Sequence, residues 1–119
     1  MFRAELRHVS PNDYASWDTF AAAPHPEPWD EFGWFVLEIG VAGEPETTSF
    51  QVLASTPAAV ARAKGGAPHR RVLVVDSFEP AALAASLKER VGGVIAPTWD
   101  GVVEELRRWM YWEYEQRWS

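Results

Sequence analysis

The chain contains no cysteine. That excludes disulfides, zinc–thiolate centres and cysteine nucleophiles, and it fits a cytoplasmic protein. No run approaches the roughly 18 apolar residues of a membrane span, so no membrane partner is expected. The opening Met1-Phe2-Arg3-Ala4-Glu5-Leu6-Arg7 interleaves charge with apolar residues and lacks the apolar core of a secretory signal. Basic runs are also missing. The one small cluster is His69-Arg70-Arg71, with Arg62 and Lys64 nearby in sequence, in a chain of net charge −6. Nucleic-acid binding requires phosphate neutralisation, so nucleic acid is not an expected partner. An acidic surface instead favours fast association with a basic one.

Signatures of chemistry are equally scarce. No glycine-rich loop has phosphate-binding spacing, and no serine sits in a nucleophile elbow. The three histidines, His8, His25 and His69, are far apart, and none has a second ligand at helical spacing. The stretch HPEPWDEF, residues 25–32, gathers His25 with Glu27, Asp30 and Glu31. Such carboxylates suit a hard cation, but the simpler reading is a solvated acidic loop. Glu104-Glu105 reads as a solvent-facing helical pair. Neither catalysis nor a cofactor or metal is expected.

What is present is a patterned α+β sequence. Residues 2–8 alternate apolar and charged, which predicts a half-buried strand. Residues 9–30 carry Pro11, Pro24, Pro26 and Pro28, which stop helix and ladder alike. A long loop is expected there, with Ser10-Pro11-Asn12-Asp13 capping at most a short helical turn. In EFGWFVLEIG, residues 31–40, Phe35, Leu37 and Ile39 share one face of a strand, while Phe32, Trp34 and Val36 share the other. A turn through Gly43 and Pro45 leads to TSFQVLAS, so the two strands form an antiparallel hairpin. Thr56-Pro57 starts a short helix that ends at Gly65-Gly66. RVLVVDS, residues 71–77, reads as a buried strand. Glu79-Pro80 opens a helix carrying Leu83, Leu87 and Val91, ended by Gly92-Gly93. Thr98 caps a last helix running to about Gln116, with the stripe Trp99, Val102, Val103, Leu106 and Met110. The expected fold is one α+β domain over 1–119. It has an antiparallel sheet of about four strands, two or three helices packed on one face, and the C-terminal helix last.

Seven tryptophans are many for a chain of this size. Trp34, mid-strand, and Trp99, opening the last stripe, are expected in the core. Trp17 and Trp29 lie in the proline-rich acidic segment. Either they form an exposed binding surface, since tryptophan buries much area at low entropy cost, or the loop folds back and Trp29 lids the core. In the tail, a continuing helix would make Tyr114 extend the Met110 stripe, with Trp109 beside it. Trp112 and Glu115 would face elsewhere, and Tyr111 and Trp118 would flank a third side. One helix cannot bury aromatics all round against one sheet.

These pieces, in this order, resemble the Imm8-type immunity proteins of bacterial polymorphic toxin systems. The resemblance rests on the alternating first strand and the Pro/Asp-rich segment leading to an aromatic strand that ends Ile39-Gly40. It continues through Phe50-Gln51-Val52, Thr56-Pro57, the strand ending near Asp76 with Phe78 after it, Thr98-Trp99, Val103, Leu106 and the terminal Trp112-Glu113-Tyr114-Glu115. The alanine-rich middle, the Gly65-Gly66 loop and the added Gln116-Arg117-Trp118-Ser119 depart from it. The resemblance implies a cytoplasmic inhibitor, not an enzyme, that binds and blocks one cognate toxin domain. The residues expected to make that contact are Asp18, Glu27, Trp29, Asp30 and Glu31 in the loop, then Trp112 and Glu115 in the tail. The rival expectation is an interaction or scaffold module, such as a homodimer joined through the aromatic tail.

Overall fold

The structure is a computed structural model that describes residues 1–63 and 71–115. The fold is α+β. In chain order the elements are β1 (Phe2–Pro11), α1 (Trp17–Ala22), β2 (Phe32–Val41), β3 (Thr47–Ser55), α2 (Pro57–Arg62), β4 (Leu73–Val74), α3 (Pro80–Gly92), β5 (Ile95–Ala96), α4 (Trp99–Leu106) and β6 (Tyr111–Trp112). The sheet runs β4-β3-β2-β1-β5, and β6 adds to β3.

The central hairpin is the predicted one. Phe35 pairs with Val52, Leu37 with Phe50 and Ile39 with Thr48 across an antiparallel β2–β3 ladder. Phe35, Leu37, Ile39, Phe50, Val52 and Ala54 are fully buried. They share one face because side chains alternate along a strand. Helices bring Phe20 from α1, Leu83, Leu87 and Val91 from α3, and Val102, Val103 and Leu106 from α4 into the same cluster. The turn joining the strands needs its glycines. Gly43 has φ +91°, a left-handed conformation that glycine adopts without steric cost. A Cβ on Gly40 would stand 2.4 Å from the Glu46 carbonyl oxygen, so the Ile39-Gly40 pair is a core residue followed by a point of backbone contact.

Several expectations need correction. The segment 9–30 is more structured than its prolines suggest. β1 continues through Pro11, so Ser10-Pro11-Asn12-Asp13 caps nothing, and the short helix starts later, where the Ser16 hydroxyl accepts from the Thr19 N–H. The Thr56-Pro57 start holds, with Thr56 accepting from the Ala59 N–H, but the expected stop at Gly65-Gly66 lies outside the described residues. RVLVVDS forms only a two-residue strand, parallel to β3 at Ala54 and Ser55. The β3 edge is shared, since β6 occupies it at Phe50 and Gln51. Among the described residues the sheet therefore has six strands and is mixed, not a four-stranded antiparallel one.

The largest correction concerns the tail. The last helix stops at Leu106, far short of Gln116, which itself lies outside the described residues. Arg108 and Trp109 donate three residues back, to the carbonyls of Glu105 and Leu106. This tightened turn is a common way for a helix to end. The chain then becomes β6, antiparallel to β3, so the described chain closes with a strand. Aromatic residues favour a pleated surface, and a period of two resolves what a helix could not. Met110 is buried in the core, Trp112 opposite Phe50 packs against it, and Tyr111 points to the other side of the sheet. Tyr114 does not extend the core stripe; it is 68% exposed. Trp34 is also displaced from its expected place. It is half-buried on the face away from the main core, its ring 6.0 Å from Tyr111. Trp99 packs at the edge of the core.

Candidate functional site

The proline-rich segment ends in a turn whose tip is Trp29. The Asp30 N–H donates to the Glu27 carbonyl at 2.9 Å, closing a four-residue turn with Pro28 at its second position, where its fixed φ is suited. The surrounding chain holds this turn from several directions. From below, the Phe78 N–H donates to the Pro28 carbonyl at 2.7 Å. On the far side, Asp30 accepts from Arg62 of α2 at 2.7–2.8 Å. Glu31 and Thr56 exchange three hydrogen bonds: the Glu31 N–H donates to the Thr56 hydroxyl, and the Thr56 N–H and hydroxyl donate to the Glu31 carbonyl. Thr56 thus caps α2 and anchors the end of the turn.

The Glu31 carboxylate accepts from His25 Nδ1 at 3.1 Å, and His25 Nε2 lies 2.8 Å from the Phe20 carbonyl. His25 and Glu31 are therefore committed to one another. Among the described residues, no group of three or more His, Asp or Glu side chains is arranged to hold a metal.

On this framework Trp29 is 60% exposed and Phe32, at the start of β2, is 61% exposed. Exposed carboxylates flank them in sequence at Asp18, in the first turn of α1, and at Glu27. Beside the turn a cleft of about 90 Å³ opens between Asp13, Tyr14, Glu31, Phe32 and Trp34. Trp29 does not lid the core, as one of the two alternatives for the loop tryptophans has it. Trp17 folds back onto the core, 5.0 Å from Phe20 and 6.4 Å from Phe35 between ring centres, and Trp29 stands out.

The tail residues lie elsewhere, at the β3 edge. Trp112 is half-buried, and its Nε1–H donates to the Thr48 hydroxyl at 3.0 Å. Glu113 accepts from that hydroxyl at 2.7 Å and from the Ser49 N–H at 2.8 Å. These two donors outweigh desolvation and hold its carboxyl below the ordinary range. The Glu115 carboxylate, only 9% exposed, accepts from Arg71 at 2.7 Å and Arg107 Nε at 3.0 Å. Burial raises its pKa, but the two guanidinium groups win and the net shift is downward. Three of the four residues of the W-E-Y-E run thus fasten the chain end to β3 and to the arginines, and Tyr114, edge-on to Trp112, faces solvent.

Sequence reasoning missed two parts of this picture. Alternation alone places Phe32 on a strand face, although its place at the strand start, next to the loop, favours exposure. Tyr111 and Trp34 form a paired aromatic surface on the face away from the main core. The Arg71 guanidinium stacks 4.7 Å above the Tyr111 ring, and a groove of about 250 Å³ runs beside it between Val36, Gln51 and Trp112. No local signal marks that pairing, which depends on β6 joining β3. Of the histidines, His8 is exposed on β1 and His69 lies outside the described residues.

The immunity protein 8 family model matches residues 4–117. The chain belongs to that family, whose members are generally non-catalytic and confer immunity by neutralising a toxin. Comparison with curated proteins and with solved structures gave no match. No helix among the described residues is long and apolar enough to cross a membrane.

Proposed function

We propose that this member of the immunity protein 8 family binds one cognate toxin domain of a polymorphic toxin system and occludes it, with no chemistry of its own. It does so in the cytoplasm of the producing cell and its kin. The observation that carries the choice of face is Trp29: a large exposed ring at the tip of a turn fixed from three sides, with Phe32, three residues on, also exposed. A backbone turn held before binding loses less entropy on binding, and a tryptophan that enters a pocket at the centre of an interface supplies much of its energy. Glu27 stands in the same turn and Asp18 in the first turn of α1, both exposed, while Asp30 and Glu31 hold the turn through Arg62 and His25. With a net charge of −6, the protein is steered towards a basic cleft. Trp112 and Glu115 act as supports of the tail, with most of their polar capacity directed into the chain.

The test is titration of the full chain against the toxin domain encoded by the neighbouring reading frame. Trp29→Ala should weaken binding by about 2 kcal/mol or more while thermal unfolding stays nearly unchanged. Unchanged affinity with a large drop in melting temperature would overturn the assignment of this face.

A further inference from the structure

His25 is a nearly buried histidine, its side chain 6% exposed, in contact with two acceptors and, among the described residues, no donor. Nδ1 lies 3.1 and 3.2 Å from the two Glu31 oxygens, and Nε2 lies 2.8 Å from the Phe20 main-chain carbonyl. A carbonyl oxygen only accepts, and so does an ionised carboxylate. A neutral imidazole has one N–H. It can satisfy one of these contacts, but it then turns a lone pair against the other acceptor. The imidazolium satisfies both.

The surroundings support that charge. Phe20 lies in the last turns of α1, which carries no basic residue at its C-terminal end, so the imidazolium supplies the cation that the helix dipole favours there. The Phe20 ring lies 4.5 Å away between ring centres, and the Tyr14 ring, from the β1–α1 connection, 6.4 Å. Glu31 is the one charged side chain in contact with the ring among the described residues. Burial opposes protonation, but the Phe20 carbonyl and the Glu31 carboxylate outweigh it and raise the pKa.

We propose that His25 is a positioning residue for the Trp29 turn: a protonated clasp that joins the end of α1 to Glu31 and, when it loses its charge, loosens residues 25–31 and weakens their grip on a protein partner. The binding half of this statement rests on the function proposed above, and the clasp itself does not. Because the folded pKa lies above the unfolded one, the stabilisation is complete below the unfolded value of about 6.5. It is lost as the pH rises through the raised folded value.

Long-range proton–nitrogen NMR of the full chain reads the ring directly, without a toxin. His25 should titrate at higher pH in the folded protein than in the same chain unfolded in urea. The amides of residues 27–31 and the Trp29 indole should shift with the same midpoint. In His25→Gln, which keeps one donor, those signals should no longer follow that midpoint. Titration at or below the unfolded value, or a Trp29 turn indifferent to the ring's charge, overturns the clasp. In parallel, wild-type affinity for the toxin domain should fall about threefold or more across that titration, and the His25→Gln affinity should stay flat. A wild-type affinity that ignores the titration while the NMR signals follow it overturns the coupling to binding. Failure of Trp29→Ala to weaken binding would sink the function proposed for this face and leave the clasp standing on the NMR result.

Discussion

Residues 25–32 and 110–115 are nearly the same material. Each mixes aromatic residues with acidic ones, HPEPWDEF in one case and MYWEYE in the other. The structure uses them in opposite ways. In the first, the backbone and the His25, Asp30 and Glu31 side chains fasten the chain, and the large ring at the tip is left in solvent. In the second, the rings and carboxylates themselves are the fasteners: Met110 fills the core, Trp112 and Glu113 hold Thr48 and Ser49, and Glu115 joins two arginines. Composition alone makes both segments look adhesive. What separates them is where the donors are. The tail meets a strand edge and two guanidinium groups. In the Trp29 turn the donors among the described residues go to the Pro28 carbonyl, Asp30 and Glu31, and the ring stays in solvent.

Truncating the tail's anchor should have the largest effect on this contrast. Met110 and Leu106 are fully buried, and replacing either with alanine should cost about 2–5 kcal/mol in chemical denaturation. A loss below 1 kcal/mol would mean that the tail is not integral to the core. Glu115→Ala comes next. It leaves Arg71 and Arg107 without their shared carboxylate, and about 1–2 kcal/mol of stability should be lost. Affinity for the toxin domain should change only through the fraction folded, and a specific loss of binding would restore the tail as a contact surface.

Acid should separate the two regions more gently. Glu113 and Glu115 have lowered pKa values in the fold. Their stabilisation is present above the ordinary glutamate value and disappears as the pH falls through the lowered values. The Trp112 indole N–H, bonded to Thr48, is the reporter. Its NMR signal should move in acid, and Glu113→Gln should shift the midpoint of that movement. Tyr114→Ala should do least. This exposed ring is expected to change stability by no more than about 0.5 kcal/mol. Matched against Trp29→Ala in the same binding assay, it tests whether exposure or presentation makes an aromatic a contact, and equal losses of affinity would erase the distinction.

Much of the frame was legible because it is local. The β2–β3 hairpin follows from alternation and from the turn at Gly43. The starts of α2, α3 and α4 follow from Thr56-Pro57, Glu79-Pro80 and Thr98, and all three caps are made. The Leu83, Leu87, Val91 stripe is buried as its spacing requires. The candidate site was legible only in outline. The acidic aromatic turn was visible, and the partners that hold it were not. Arg62, Thr56 and Phe78 lie 25 to 50 residues further along the chain, and no local pattern joins them to it. The tail misled for a related reason. Its register suits a helix as far as Met110 and a strand thereafter, and an unpaired strand has no signal of its own.

By itself, then, the sequence determined the α+β class, the core faces and the family, all of which depend on short-range periodicity, caps and the order of motifs. Tertiary structure decided which of two similar segments became a fastening and which was left in solvent. That choice depends on the edge of β3 and on arginine, histidine and threonine side chains brought from distant parts of the chain, and such neighbours exist only once the sheet has formed.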